Sequence, residues 1–131
     1  MWFDVAIYAA VLAVAVLLRP RTTIWKVALV LAAVTFPLWI LARAQLGSAV
    51  SFRAKATRLV TSGLYARIRH PVYVFGTLAS LSALLALQIW PIFALGVAAI
   101  PITLLRARRE QQVLAAAFGE EYQRYKARTW F

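Results

Sequence analysis

The stretch VYVFGTLASLSALLALQIWPIFALGVAAIPITLL, residues 72–105, is apolar over most of its length and decides the fold. As one helix it would extend roughly 51 Å at 1.5 Å per residue, whereas the hydrocarbon core of a bilayer is about 30 Å thick. The natural break is QIWP at 88–91, which combines a polar residue, an interfacial tryptophan and a proline suited to the first turn of a helix. The stretch therefore predicts two helices, over about 72–87 and 91–105, joined as a hairpin.

Two further apolar segments precede this hairpin, over about 2–18 and 24–42. Each has about the length needed to cross a bilayer, and Pro37 predicts a kink in the second. The first segment carries Asp4 and no basic region, so we expect a retained membrane span and not a signal peptide. The sequence thus predicts an all-α integral membrane protein of one domain with about four transmembrane helices.

Composition narrows the class of protein. The 131 residues are 63% hydrophobic with a mean hydropathy of +0.75, which is more apolar than a soluble domain. The net charge of +11 could suit a nucleic-acid binder, but such a protein needs a soluble body, so we expect no nucleic acid. The absence of cysteine excludes disulfides and thiolate ligands, and one histidine with four acids leaves few metal ligands, so we expect no metal.

The distribution of basic residues predicts an orientation. Three basic residues flank the start of the second span, whereas twelve lie in the 43–71 loop and the 106–131 tail. The positive-inside rule places that loop and tail in the cytoplasm, and four crossings put the N-terminus there too. We therefore expect a multi-pass protein of the cell inner membrane with a cytoplasmic active site. Because the hairpin returns the chain to its starting side, His70 and Arg106 should lie near each other.

The tail has the spacing of an amphipathic helix. Leu114, Phe118, Tyr122 and Tyr125 share one helical face, and Gly119 is a candidate interruption. This spacing favours a helix that lies on anionic lipid. The alternative is that the same face packs as a wall over a site.

The polar residues near the membrane have ordinary interpretations when taken singly. Arginines at the ends of membrane helices usually extend to the headgroups, and Pro71 suits a first helical turn with His70 as its cap. Arg106 and Glu110 are four residues apart, which predicts a helical ion pair worth a few tenths of a kcal/mol. The alternative for Glu110 is to bind a ligand that is cationic or rich in hydroxyl groups.

The order of the motifs is more specific. LVTSGLYARIRHPVY at 59–73 is followed by RARREQQVL at 106–114 and FGEEYQRY at 118–125, and RAQLGSAVS at 43–51 precedes them. In this order the segments resemble the isoprenylcysteine carboxyl methyltransferase family and the related membrane phospholipid methyltransferases. The resemblance covers about two thirds of the chain.

The resemblance implies a fold of membrane helices that holds S-adenosylmethionine at the cytoplasmic face without a Rossmann domain. The scattered glycines agree with this, because they form no phosphate-binding fingerprint. The resemblance implies Arg106 as the substrate-facing, catalytic arginine. The sequence departs from the family at Gln111, where the tail usually has a second glutamate. The residues that it implies for cofactor binding are Thr57, Arg58, Leu59, Val60, Tyr65, His70, Pro71, Val72, Tyr73 and Glu110.

The leading functional prediction is carboxyl O-methylation of a lipophilic, isoprenylcysteine-like acid. A guanidinium such as that of Arg106 suits a carboxylate, which is ionised at pH 7 and needs no general base. The alternatives are a phospholipid N-methyltransferase, a small-thiol methyltransferase and a non-enzymatic protein that binds lipid. A four-helix proton-coupled exporter is disfavoured, because the predicted spans offer only Asp4 as an acid. The expected partners are membrane lipids and a lipophilic or lipid substrate, and the oligomeric state is left open.

Overall fold

The structure is a computed structural model that describes residues 2–18, 22–47 and 59–130, with side chains from Val5 onward. Every regular element in these ranges is helical, which confirms the predicted all-α fold. Thr57 and Arg58 lie outside the described residues. The helices are α1 (Trp2–Leu18), α2 (Thr23–Leu46), a short 3-10 helix (Gly63–Ala66), α3 (Pro71–Leu87), α4 (Trp90–Ala98) and α5 (Ile100–Arg128).

Helices α1, α2 and α3 alternate in direction. Helix α3 contacts each of the four other α-helices. Two buried clusters at different levels establish these directions. One cluster packs Tyr8 and Phe36 against Ala79, and the other consists of Ala15, Ala28 and Ala86. Therefore α1 and α3 run parallel, and α2 runs antiparallel to both.

Small residues let the helices approach closely. A Cβ atom added at Gly76 would lie 2.9 Å from Trp39 Nε1, and one added at Gly96 would lie 2.6 Å from Leu84 Cδ1. Close packing through small residues is typical of helices in membranes, where lipid competes for apolar surface. Large apolar side chains face outward, as at Leu17 and Leu95, which are 79% and 70% exposed.

Two helical stretches are long and apolar enough to cross a membrane: Thr23–Leu46, and Trp90–Arg128 taken as one unit. Val5–Leu18 and Pro71–Leu87 are apolar but shorter. Helices α1 and α3 have 17 residues each, which is at the lower limit for a span.

The hairpin forms where the sequence predicts it, with Gln88 in the left-handed conformation (φ 55°) between α3 and α4. The predicted helix over 91–105 differs, because α4 ends at Ala98 and α5 begins at Ile100. Pro101 explains this break, since it has no N–H to continue the hydrogen-bond ladder of α4 and suits a new first turn. The predicted boundary between span and tail at 105 thus falls inside α5. Gly119 does interrupt the helical dihedral angles of α5 (φ 47°, ψ −117°).

The segment before α3, residues 59–70, is held against one end of the bundle. Gln45, in the last turn of α2, accepts a hydrogen bond through Oε1 from the Leu64 N–H at 2.9 Å. Gly63 has φ 63°, and a Cβ there would lie 2.5 Å from the Gln45 amide nitrogen. Gly63 therefore permits both the left-handed backbone and the close approach. At the opposite end of the bundle, the Gln88 side chain hydrogen-bonds to Thr22.

Candidate active site

The second half of α5 packs onto the segment that precedes α3. The Tyr125 hydroxyl donates to the Tyr65 carbonyl at 2.8 Å, and the Trp130 N–H donates to the Arg67 carbonyl at 2.9 Å. The Arg67 guanidinium lies 5.9 Å from the centre of the Trp130 ring. Tyr125 and Tyr122 are 8% and 2% exposed, so this part of the tail face contacts protein. This packing favours the interpretation in which the tail face forms a wall over a site. Spacing alone favours the other interpretation, in which the tail helix lies on lipid.

His70 precedes the first turn of α3, and Pro71 follows it as a fully buried N-terminal proline. The His70 ring meets the Tyr73 ring edge-on, with centroids 5.9 Å apart. Its Nε2 atom lies 2.8 Å from Nε2 of Gln111 on α5. Burial and the charge of Arg69 lower the pKa of His70 to about 4, so the imidazole is neutral at physiological pH.

Glu110 and Arg106 lie on the α5 face that approaches α3. The Glu110 carboxyl is half-buried and makes a polar contact with the Tyr73 hydroxyl. Arg106 lies one turn earlier, is exposed, and acts electrostatically on Tyr73. As the sequence predicts, the hairpin brings His70 and the start of the tail to the same end of the bundle.

Three buried polar atoms have no hydrogen-bond partner among the described residues: Tyr65 Oη, Arg69 Nε and Tyr122 Oη. Such an unmet group costs about 1–3 kcal/mol, so its presence calls for a ligand or ordered water. Arg69 lies close enough to Tyr122 to influence it electrostatically, and Glu110 influences both tyrosines. The three atoms therefore belong to one neighbourhood, beside Glu110. Their donors suit the amino acid and ribose groups of S-adenosylmethionine.

An apolar groove of about 320 Å³ lies between α3 and α4–α5 and reaches Tyr73, which contacts Glu110. It extends from Leu84 and Gly96 to Tyr73 and Arg106, which is roughly 16 Å along α3 at 1.5 Å per residue. Thr77, Ser80 and Thr103 are also among its lining residues. A second groove of about 310 Å³ extends toward α1 and shares Trp39, Gly76, Ser80 and Leu84 with the first.

The structure thus brings together six of the predicted site residues: Tyr65, His70, Pro71, Tyr73, Arg106 and Glu110. Val72 is half-buried in the first turn of α3, and Leu59 and Val60 lie half-buried in the chain leading to the 3-10 helix.

Sequence reasoning did not assign Arg69, Gln111 or Tyr122 to the site. The shared helical face of Tyr122 and Tyr125 was a signal for the tail, but nothing local indicated their partner on the 59–70 segment.

Comparison with known protein families gives one match. The sequence pattern of one family, phospholipid methyltransferase, matches residues 22–121. The chain belongs to the phospholipid methyltransferase family. The matched range covers α2, the 59–70 segment, α3, α4 and most of α5. No curated protein and no solved structure matches the chain.

Family membership makes the chain a membrane methyltransferase in general terms. Phospholipid methyltransferases belong to the same superfamily as the isoprenylcysteine carboxyl methyltransferases, so the predicted relationship is confirmed at that level. Members of the family generally use S-adenosylmethionine. The methyl acceptor is a finer question, which family membership leaves open.

Proposed function

We propose that this protein uses S-adenosylmethionine to methylate a lipophilic acid, with a carboxylate as the methyl acceptor. One observation carries the proposal: the unpartnered buried donors lie beside Glu110, and Glu110 contacts Tyr73, which lines the apolar groove. A polar cofactor from the aqueous side and an acceptor from the bilayer could therefore meet there.

On the cofactor side, bound S-adenosylmethionine would supply a sulfonium methyl group for in-line transfer. The Tyr65 and Tyr122 hydroxyls and Arg69 Nε are donors for its carboxylate and hydroxyl groups, and Glu110 is an acceptor. Tyrosine rings offer electron-rich faces to a sulfonium. We extend the proposal to the other cofactor residues that the resemblance implies, including Thr57, Arg58, Leu59 and Val60.

On the acceptor side, the groove suits an apolar tail, and Arg106 lies at its polar end. A guanidinium can donate two parallel hydrogen bonds to a carboxylate and so fix its orientation. Because a carboxylate is already ionised at pH 7, the site needs no general base, and neutral His70 is free for binding. The main task of the chain is then to align donor and acceptor.

A phospholipid amine is the second candidate acceptor, and the family match fits it as well. In that case Arg106 would hold the lipid phosphate. The amine must lose its proton before methylation, and the Glu110 carboxyl lies one helical turn from Arg106.

Membranes from expressing cells, incubated with methyl-labelled S-adenosylmethionine, distinguish these candidates. Label that alkali releases indicates an ester and supports the carboxylate, whereas stable label indicates an amine or a thioether and overturns it. Arg106→Gln should lower kcat/KM for the acceptor about 12- to 150-fold, since a charge-assisted hydrogen bond is worth about 1.5–3 kcal/mol. Arg108→Gln is the matched control, because Arg108 is exposed and outside the groove lining. No saturable cofactor binding in detergent would refute the function as a whole.

We further propose that α1, α2, α3 and the stretch from α4 into the start of α5 each cross the membrane, with the Arg106 end in the cytoplasm. The charge distribution and the alternating helix directions support this topology. The chain lacks cysteine, so single-cysteine variants report without background. Ser62→Cys should react with a membrane-impermeant thiol reagent only from the cytoplasmic side, and Thr23→Cys only from the other side. The reverse pattern, or reaction of both from one side, would overturn the topology.

A further inference from the structure

The contact between His70 and Gln111 links the segment before α3 to α5. It joins residues 41 positions apart, and the two Nε2 atoms are 2.8 Å apart. Both side chains are half-buried, and His70 is the only histidine of the chain.

We propose that Gln111 is a positioning residue that holds His70 as the neutral tautomer protonated at Nδ1. An amide nitrogen can only donate, so His70 Nε2 must accept from Gln111, and the ring proton then resides on Nδ1. Nδ1 has no hydrogen-bond partner among the described residues, so its N–H remains available to a ligand. The assignment of that ligand as S-adenosylmethionine rests on the proposed function.

Two effects at the ring disfavour an imidazolium. The larger is burial, and the second is the charge of Arg69, adjacent in the chain. From α3 the Tyr73 ring faces the imidazole, and from α5 the charged groups nearby are Glu110, which contacts Tyr73, and Arg106. Gln111 adds a hydrogen bond without a charge, whereas a glutamate there would favour the imidazolium. The amide thus keeps the ring neutral and fixes its tautomer.

Nitrogen NMR tests this directly in detergent, because ¹⁵N-histidine labels a single imidazole. We expect a protonated Nδ1 signal and an unprotonated Nε2 signal that do not change between pH 5.5 and 8. In Gln111→Glu the ring should titrate within that range, with its apparent pKa raised by at least about one unit. In Gln111→Leu the two tautomers should both be populated. Gln112→Glu, exposed and adjacent, is the control and should leave the signals unchanged.

Cofactor affinity provides the second measurement. Gln111→Leu should weaken binding of S-adenosylmethionine about 3- to 10-fold at pH 7 without loss of fold, and Gln112→Glu should not. A wild-type ring protonated at Nε2, or an unchanged tautomer in Gln111→Leu, would overturn the proposal, and the first result stands even if the variants fail to fold. A fixed Nδ1–H tautomer in a protein that binds no S-adenosylmethionine would instead refute the proposed function and leave the positioning role intact.

Discussion

Tyr65 and Tyr125 differ in whether the side-chain hydroxyl has a hydrogen-bond partner. Tyr65 has a buried hydroxyl without a partner among the described residues, whereas the Tyr125 hydroxyl donates to the Tyr65 carbonyl at 2.8 Å. Each can be changed to phenylalanine, which removes the oxygen and keeps the ring. Tyr65→Phe should weaken cofactor binding without loss of stability, and Tyr125→Phe should lower stability first.

The magnitudes follow from the hydrogen bonds. Tyr65→Phe removes a group whose desolvation costs about 1–3 kcal/mol, so the free energy of unfolding without cofactor should stay constant or rise. If the hydroxyl binds S-adenosylmethionine, its loss costs about 0.5–1.5 kcal/mol, or roughly 2- to 12-fold in Kd. Tyr125→Phe leaves the buried Tyr65 carbonyl without its donor, which should lower the unfolding free energy by about 1–3 kcal/mol.

Thermal unfolding in detergent, with and without S-adenosylmethionine, measures both effects. If the wild type binds the cofactor as proposed, the cofactor should raise its melting temperature by mass action, and this increase should shrink in Tyr65→Phe while its baseline does not fall. Tyr122→Phe removes another unpartnered hydroxyl and should behave like Tyr65→Phe. A lower baseline in Tyr65→Phe with an unchanged cofactor effect would refute the inference that these buried hydroxyls serve a ligand.

Three further predictions concern the segments around the site. Gly63→Ala should destabilise the protein by about 1–3 kcal/mol, which is more than Gly119→Ala. Both glycines have positive φ, but only at Gly63 would the added Cβ atom lie against Gln45. Equal unfolding free energies in the two variants would contradict this. The pKa of His70 is about 6.5 in the unfolded chain and about 4 in the folded protein. The free energy of unfolding without cofactor should therefore fall as the pH drops from 6.5 to 4, by at most about 3 kcal/mol. His70→Gln should flatten that part of the profile of melting temperature against pH. His70→Ala should lower cofactor affinity and leave the protein folded and inserted, and unchanged binding by calorimetry would count against the site.

The parts of the fold that the sequence predicted are those set by local chemistry. The length of the 72–105 stretch and the break at 88–91 sufficed for the hairpin, because span length and helix breaks are encoded within a few residues. The break at Ala99 was missed because it lies within a continuous apolar run, where Pro101 acts through a single missing N–H.

The site was likewise predictable only where a local signal determined it. The hairpin alone indicated that His70 and the start of the tail would meet. The pairs Tyr125–Tyr65 and Gln111–His70 join residues 60 and 41 positions apart, and neither pair has a periodic or local signal. Such contacts depend on how α5 is rotated and bent, which is decided by packing across the whole bundle.

The turn at Gly119 divides α5 into two arms. Glu110 and Gln111 lie before the turn, whereas Tyr122 and Tyr125 lie after it. The angle between the two arms therefore sets the spacing of these two groups of side chains. A substitution at Gly119 would alter that spacing without replacing any residue of the candidate site.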